Sequence, residues 1–398
     1  MTDTVAASDN DTTTVDFGLD PLPGAALHTA LASARELGGL APVRFFGTNA
    51  VIVTGYDDVR EAFRDDVGLP GGATYRMHTE PVVGRTFISM DGKEHDRHRQ
   101  LATPAFRSRA VARFDEDALL PLAHELIDRF VARGKGDLVT ELTTVLPFYA
   151  ITRKLGVPRA SDEQMRTWAD RMLTYPSDPD GAVGAARAFS EVIDPLLDER
   201  RAAPTDDLLS ELLAAEVDGE ALDPDEVCST IRLLFSVGAT TTSHAMGNLL
   251  SALLHRPDLL DRVQREPELR AGVVHEILRW EPPVASLPRL APVDAVVAGV
   301  PVPAGTMMLF GIAAANRDPR RWPDADRYDP TREPHDIVTF GFGQKFCPGA
   351  HLARREVLTA LDVVLERLPG LRLGDDAGSI PVGGVLRHPT ALHTTWEV

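Results

Sequence analysis

Residues 223–257 read DPDEVCSTIRLLFSVGATTTSHAMGNLLSALLHRP, one unbroken helical pattern between an Asp-Pro start and a Pro stop. A helix of that length, roughly 50 Å at 1.5 Å per residue, cannot cover its own apolar flanks. "IRLLF" and "LLSALL" need other helices around them, so the chain must build an α-dominated core. The middle of the run is odd: Gly238, Ala239 and then Thr240, Thr241 and Thr242. Gly costs about 1 kcal/mol against Ala inside a helix, and each β-branched Thr several tenths more. A penalty at the centre of a core helix needs a reason.

The surrounding chain fits that frame. Helical periodicity dominates from about residue 95 to 280, as in DEDALLPLAHELIDRFVARG and PELRAGVVHEILRWEPP. Two regions read as strands, VRFFGTNAVIVTG near the start and DAVVAGVPVPAGTMMLFGI at 294–312. Residues 313–350 form a long irregular stretch, which inside a compact domain usually carries function. A last amphipathic helix and a β-like tail follow. The fold class expected is mainly α with a smaller β part (α+β), in one cooperative domain spanning 18–398 after a disordered polar lead, 1–17. No run approaches the ~18 apolar residues of a membrane span, and the polar, acidic start lacks a signal-peptide pattern. A cytoplasmic protein is expected. Its net charge of −18 argues against nucleic acid as a partner.

There are two cysteines, Cys228 and Cys347, too few for a disulfide framework. Cys228 sits within the long helix and reads as core. Cys347 lies in FGFGQKFCPGAHLARRE, residues 340–356, just before a helix beginning near Pro348. Gly341, Gly343 and Gly349 allow tight turns and close approach. A helix N-terminus and Lys345 would both favour a thiolate. Such a sulfur could be a metal ligand or a nucleophile.

The loop resembles the haem-binding loop of the cytochrome P-450 family, Phe-Gly-x-Gly-x-His/Arg-x-Cys-x-Gly. Phe340, Gly341, Gly343, Cys347 and Gly349 match, while Lys345 stands where the family usually has His or Arg. The resemblance implies a single-domain P-450 fold, with haem b between a long distal helix and the Cys-loop helix and Cys347 as the proximal thiolate ligand. It also implies that His95 and Arg99 of HDRHR, Arg289 of LPRL, and Lys345 meet the haem propionates. Glu276 and Arg279 of EILR look like the family's Glu-x-x-Arg pair, with Arg327 as a third member bracing the irregular stretch.

On the same resemblance the family's Ala-Gly-x-Asp/Glu-Thr pattern falls on Val237, Gly238, Ala239, Thr240 and Thr241. Gly238, Thr241 and Ala245 share a small-residue face that would leave room for the cofactor and dioxygen, with the Thr241 hydroxyl oriented toward the oxygen. Thr240 occupies the acid's place, and a hydroxyl is no local ionisable reservoir. Either water, substrate or His244 completes the proton relay, or the chemistry is peroxide-driven or non-oxygenating. Phe87, Ile88, Val237, Ala239, Val284, Ala285 and Leu287 would line an apolar substrate pocket, with Arg76 and Arg85 as candidate anchors for a carboxylate.

The function implied is a haem-thiolate monooxygenase for a small hydrophobic organic molecule, using dioxygen, ferredoxin and ferredoxin reductase as a monomer. A haem sensor or carrier without turnover is the reading from another class. Arg97, His98, Arg107, Arg109, Lys345, Arg354 and Arg355 form a basic cluster that would steer an acidic electron donor.

Overall fold

The structure, a computed structural model, describes residues 15–158, 162–217 and 219–398. The helices that frame the site are α1 (Ala25–Glu36), α2 (Gly71–His78), α3 (Gly92–Ala102), α4 (Val145–Leu155), α5 (Asp162–Met172), α6 (Pro179–Ala202), α7 (Pro224–Leu254), α8 (Arg270–Trp280) and α9 (Ala350–Arg367). The strands are β1 (Leu40–Phe45), β2 (Thr48–Val53), β3 (Lys135–Asp137), β4 (Leu287–Leu290), β5 (Met307–Phe310), β6 (Arg372–Asp375) and β7 (His393–Thr395), apart from two short hairpins.

The start of α7 is fixed locally. The Asp223 carboxylate accepts from the Glu226 N–H at 2.8 Å, and the Glu226 carboxylate accepts from the Asp223 N–H at 2.9 Å. Pro224 follows where no donor is lost, so this capping box stabilises the end by about 1 kcal/mol. Further along, Phe235 is stacked on Phe189 of α6 at 4.1 Å and met edge-on by Phe148 of α4 at 5.9 Å. These contacts clasp the first half of α7 between α4 and α6, while α9 and α8 pack along it.

The larger sheet runs β1–β2–β5–β4, with β2 and β5 parallel and the other pairs antiparallel. Val51 and Arg289 both stand opposite Met308, so Arg289 is held in register on the edge strand β4. A smaller antiparallel sheet, β6–β7–β3, closes the chain end. One core spreads around α7; a second lies between α1 and the larger sheet, built on Phe17, Leu27, Ile52, Ala285 and Leu309.

Phe17 corrects the expected lead. It is 2% exposed, and the Asp16 carboxylate accepts from the backbone N–H groups of Gly18, Leu19, Phe46 and Gly47. Residues 15–17 therefore belong to the folded domain; the rest of the expected lead, 1–14, lies outside the described residues. No helix among the described residues is long and apolar enough to cross a membrane.

Candidate active site

The Cys347 loop folds as the glycines require. Gly341 and Gly343 have φ of +73° and +70°, where a side chain would be strained, and the Cys347 N–H closes the turn on the Phe340 carbonyl at 2.8 Å. Gly349 has an ordinary φ of −79°, so its part differs from that expected: a Cβ there would lie 3.9 Å from the Cys347 sulfur. That is ordinary van der Waals contact, so what Gly349 contributes here is its N–H, which lowers the thiol.

The thiol itself is not pre-ionised by its loop. Burial pushes the Cys347 thiol up, and the Gly349 N–H, Arg99 and Arg354 pull it back only in part. Lys345 has no share in this. Its ammonium turns away to donate to the carbonyls of Phe87 at 2.9 Å, Ile88 at 3.2 Å and Met90. Cys228 is the inert sulfur expected: buried, beside Asp194, with its thiol raised to about 11 chiefly by burial.

His95, Arg99, Arg289 and Lys345 nevertheless converge. Burial lowers Lys345 to about 8, with Arg289 and Arg99 acting in the same direction and Asp91, 3.9 Å away, opposing them. His95 is lowered by burial and then by Lys345, which keeps it neutral near pH 7. It is fully buried, and its Nε2 has no partner, while Nδ1 reaches Asp96 at 3.1 Å. Arg289 is 2% exposed and lies over Tyr75 at 5.2 Å and Phe310 at 5.6 Å. Crowded cations around a buried orphan nitrogen make a site short of negative charge: with Nδ1 donating to Asp96, Nε2 becomes a donor only when His95 is protonated. Two carboxylates fit it, and a cysteine sulfur nearby fits iron.

Glu276 and Arg279 pair as expected, but Arg327 is not their third member. Its side chain is 70% exposed and approaches Asp329; only its backbone carbonyl takes a bond from Arg279, at 3.1 Å. Arg332 fills that place, with Nε 3.4 Å from Glu276 and another donor on the Pro323 carbonyl at 2.8 Å. The DPTR segment around it carries no separate sequence signal.

On α7, Val237 and Thr241 are one turn apart and half-buried, and the Thr241 hydroxyl donates to the Val237 carbonyl at 3.0 Å. Gly238 does not serve open space as expected: a Cβ there would lie 3.0 Å from Ile151 of α4, so it permits close helix packing. Ala239 and Thr240 instead line a cleft of about 290 Å³ against α5. His244 also lines it, stacked on His388 at 3.9 Å; burial first, and then His388, hold it neutral. It is therefore no charged relay near pH 7.

Of the other expected pocket residues, Ala285 is removed by the fold, being fully buried in the second core. Phe87 is buried in the main core, while Ile88, Val284 and Leu287 are half-buried. Arg76 pairs with Asp91 at 3.0 Å and Arg85 with Glu94 at 2.6 Å. The basic cluster is thinned too: Arg97 pairs with Glu220, His98 faces Glu226 and Arg355 pairs with Asp115. A cavity of about 520 Å³ lies elsewhere, between α1 and α8, and holds no residue of the Cys347 loop.

A loop-held cysteine, propionate-type cations and a long continuous helix with small residues and threonines at its middle together define a haem-thiolate protein. A profile of the family "Cytochrome P450" matches residues 175–369. The chain is 35% identical to mycinamicin IV hydroxylase/epoxidase of Micromonospora griseorubida over 88% of its own length and 90% of that protein. It is 34% identical to steroid C26-monooxygenase of Mycobacterium tuberculosis, over 80% of its length and 92% of that protein. Among solved structures, cytochrome P450 CYP109Q5 from Chondromyces apiculatus superposes with a TM-score of 0.85 at 30% identity, over 93% of this chain and 95% of that one. The chain belongs to the cytochrome P450 family. It is a haem-thiolate monooxygenase with haem b as cofactor.

Proposed function

We propose that this monooxygenase oxidises an apolar small organic molecule and takes its electrons from ferredoxin through ferredoxin reductase. The observation that carries the site assignment is the partnerless, fully buried Nε2 of His95 among the cations that face the Cys347 loop. In this reading Cys347 would ligate the haem iron, and His95, Arg99 and Arg289 would hold the propionates. When bound, the haem supplies dioxygen activation at a thiolate-ligated iron.

The protein's own residues supply geometry and protons. Lys345 ties the 87–90 segment to the Cys loop through three backbone carbonyls, so it fixes the floor on which Phe87 and Ile88 stand. Val237, Val284 and Leu287 complete the apolar lining, and Thr241 offers its hydroxyl on the oxygen side of α7. Relatives named for mycinamicin IV and for a steroid support an organic small-molecule substrate without choosing one. Arg107 and Arg109, both exposed, together with Arg354 support a basic docking face for an acidic electron donor.

The test is a carbon monoxide difference spectrum of the reduced protein, followed by a spectral screen of the ferric protein against apolar compounds. The thiolate-type band is expected, and Cys347→Ala should abolish it. An unchanged spectrum in that variant would sink the assignment. Dioxygen consumption that ferredoxin and its reductase do not accelerate would sink the electron route.

A further inference from the structure

Thr240 stands where the family carries an acid, yet an acid is present. The Thr240 hydroxyl donates to Oδ1 of Asp170 at 3.1 Å, across from α7 to α5 and 70 residues away in sequence. Both residues line the 290 Å³ cleft, with Ser243 beside them. The charged and titratable groups facing that cleft are Arg166 on α5, His244 on α7 and His388 of the C-terminal segment. His244 is neutral for the reason given above, which leaves Asp170 as the carboxyl group in reach of Thr240.

Asp170 has two sides. Its residue surface is exposed, because it forms the wall of an open cleft. It is also crowded enough that burial raises its carboxyl above the usual range, against the opposing pull of Thr240, His388 and Arg166. Solvent therefore reaches one side of the group and the α7 hydroxyl the other. That is the placement a relay needs.

We propose that Asp170 is the acid of the proton path, a positioning residue that takes protons from cleft water and passes them through the Thr240 hydroxyl toward Thr241. Each oxygen insertion consumes one dioxygen, two electrons and two protons; the electrons come from the redox partner and the protons from solvent. Once protonated, Asp170 becomes the donor and the Thr240 hydroxyl turns to accept from it; in the relay step the O–H bond of Asp170 breaks as a new O–H bond forms on Thr240 Oγ1. The proton Thr240 held before leaves to the next acceptor on the Thr241 side. The Asp170 carboxylate then regains a proton from water in the cleft. Relative to a single acidic residue on α7, the same function is divided between two helices. The inference rests on the monooxygenase reading of the site.

The experiment compares the haem-loaded full chain with Asp170→Asn and with the transplant Asp170→Asn/Thr240→Asp. Three readouts are taken: peroxide released per electron pair, the pH profile of oxygen insertion, and the infrared carboxyl band of the resting protein. In Asp170→Asn we expect oxygen insertion to fall about 10-fold or more, peroxide to rise, and the acid limb of the pH profile to move. The infrared band of a carboxyl titrating above the ordinary range should be lost, while the carbon monoxide spectrum stays intact. The transplant should recover activity to within about threefold of wild type, which a merely structural role for Asp170 would not allow. Unchanged coupling and pH profile in Asp170→Asn, an unchanged infrared band, or a transplant no better than the single variant each overturns the proposal. A wild-type protein without the thiolate spectrum would overturn the site reading itself, and is told apart by that spectrum.

Discussion

Glu276 and Arg279 meet in a two-point ion pair, Nε to Oε2 at 2.8 Å and Nη2 to Oε1 at 2.7 Å, with neither side chain more than 2% exposed. The other donors of Arg279 reach the carbonyls of Asn316, Ala325 and Arg327, and the Asp329 N–H donates to Glu276. One pair thus holds down the irregular stretch that leads into the Cys347 loop. Arg279→Lys keeps the charge but loses the planar fork, leaving carbonyls and carboxylate partly unpaired. The expected cost is about 3 kcal/mol or more, read as the urea midpoint of the haem-loaded protein. A loss below about 1 kcal/mol would show that the pair does not carry the stretch.

Arg332 and Arg327 separate the two candidates for the third position. Arg332 is 14% exposed on its side chain and bonds both Glu276 and the Pro323 carbonyl, whereas Arg327 is 70% exposed. Arg332→Ala should cost about 1–2 kcal/mol, and Arg327→Ala no more than about 0.5 kcal/mol. The two variants are compared by denaturant unfolding at equal salt. Equal losses would reverse the assignment.

How far the sequence reaches follows from what each residue depends on. Cys347, Gly341 and Gly343 are legible because a tight loop before a helix is a local object, and its turns demand glycine wherever the rest of the chain goes. The Glu276–Arg279 pair is legible for the same reason, being three residues apart on one helix. Arg332, Asp91 and Asp170 are not, because their partners arrive from distant segments: Arg332 lies 56 residues from Glu276. Ala239 and Ala285 fail for a related reason. Both are apolar, but which way an Ala faces is decided by neighbouring helices and the sheet, not by the residues beside it in sequence.

Glu356, inside α9, is 1% exposed with an unpartnered Oε2, and burial lifts its carboxyl well above the usual range. The group therefore keeps its proton to higher pH in the folded chain than in the unfolded one. Folding takes up a proton above about pH 4.5, so its contribution is fully present below that pH and is lost as pH rises through the folded value. Glu356→Gln removes that loss. Its stability advantage over wild type should grow as pH rises above about 4.5, by up to about 1.4 kcal/mol per unit. Unfolding curves across that range with a constant gap would mean the carboxyl is ionised and paired.

Gly238 offers a test of close packing as the reason for the weak centre of α7. A methyl group there meets Cγ1 of Ile151 at 3.0 Å and Cδ1 at 3.1 Å, so overpacking should cancel the ~1 kcal/mol that Ala gains over Gly in a helix. With Ile151 shortened to Ala, both contacting atoms are gone and only Cβ, at 3.6 Å, remains. Gly238→Ala should then stabilise the Ile151→Ala background by about 1 kcal/mol while leaving wild type nearly unchanged. Thermal unfolding of the four proteins measures the coupling, and simple additivity would argue against contact at this point.

His95 should act oppositely in the two forms of the protein. Without haem, its buried Nε2 is an unmet polar atom, which costs about 1–3 kcal/mol. With haem, a propionate would add the negative charge that lets His95 hold a second proton, and Nε2–H would then donate to a propionate oxygen. His95→Leu should therefore leave the haem-free chain at least as stable as wild type. The same change should speed haem transfer to an excess of an acceptor protein by about 10-fold. Unfolding of the haem-free proteins and the transfer rate are separate measurements. Loss of stability in the haem-free variant, or an unchanged transfer rate, would place the propionates away from His95.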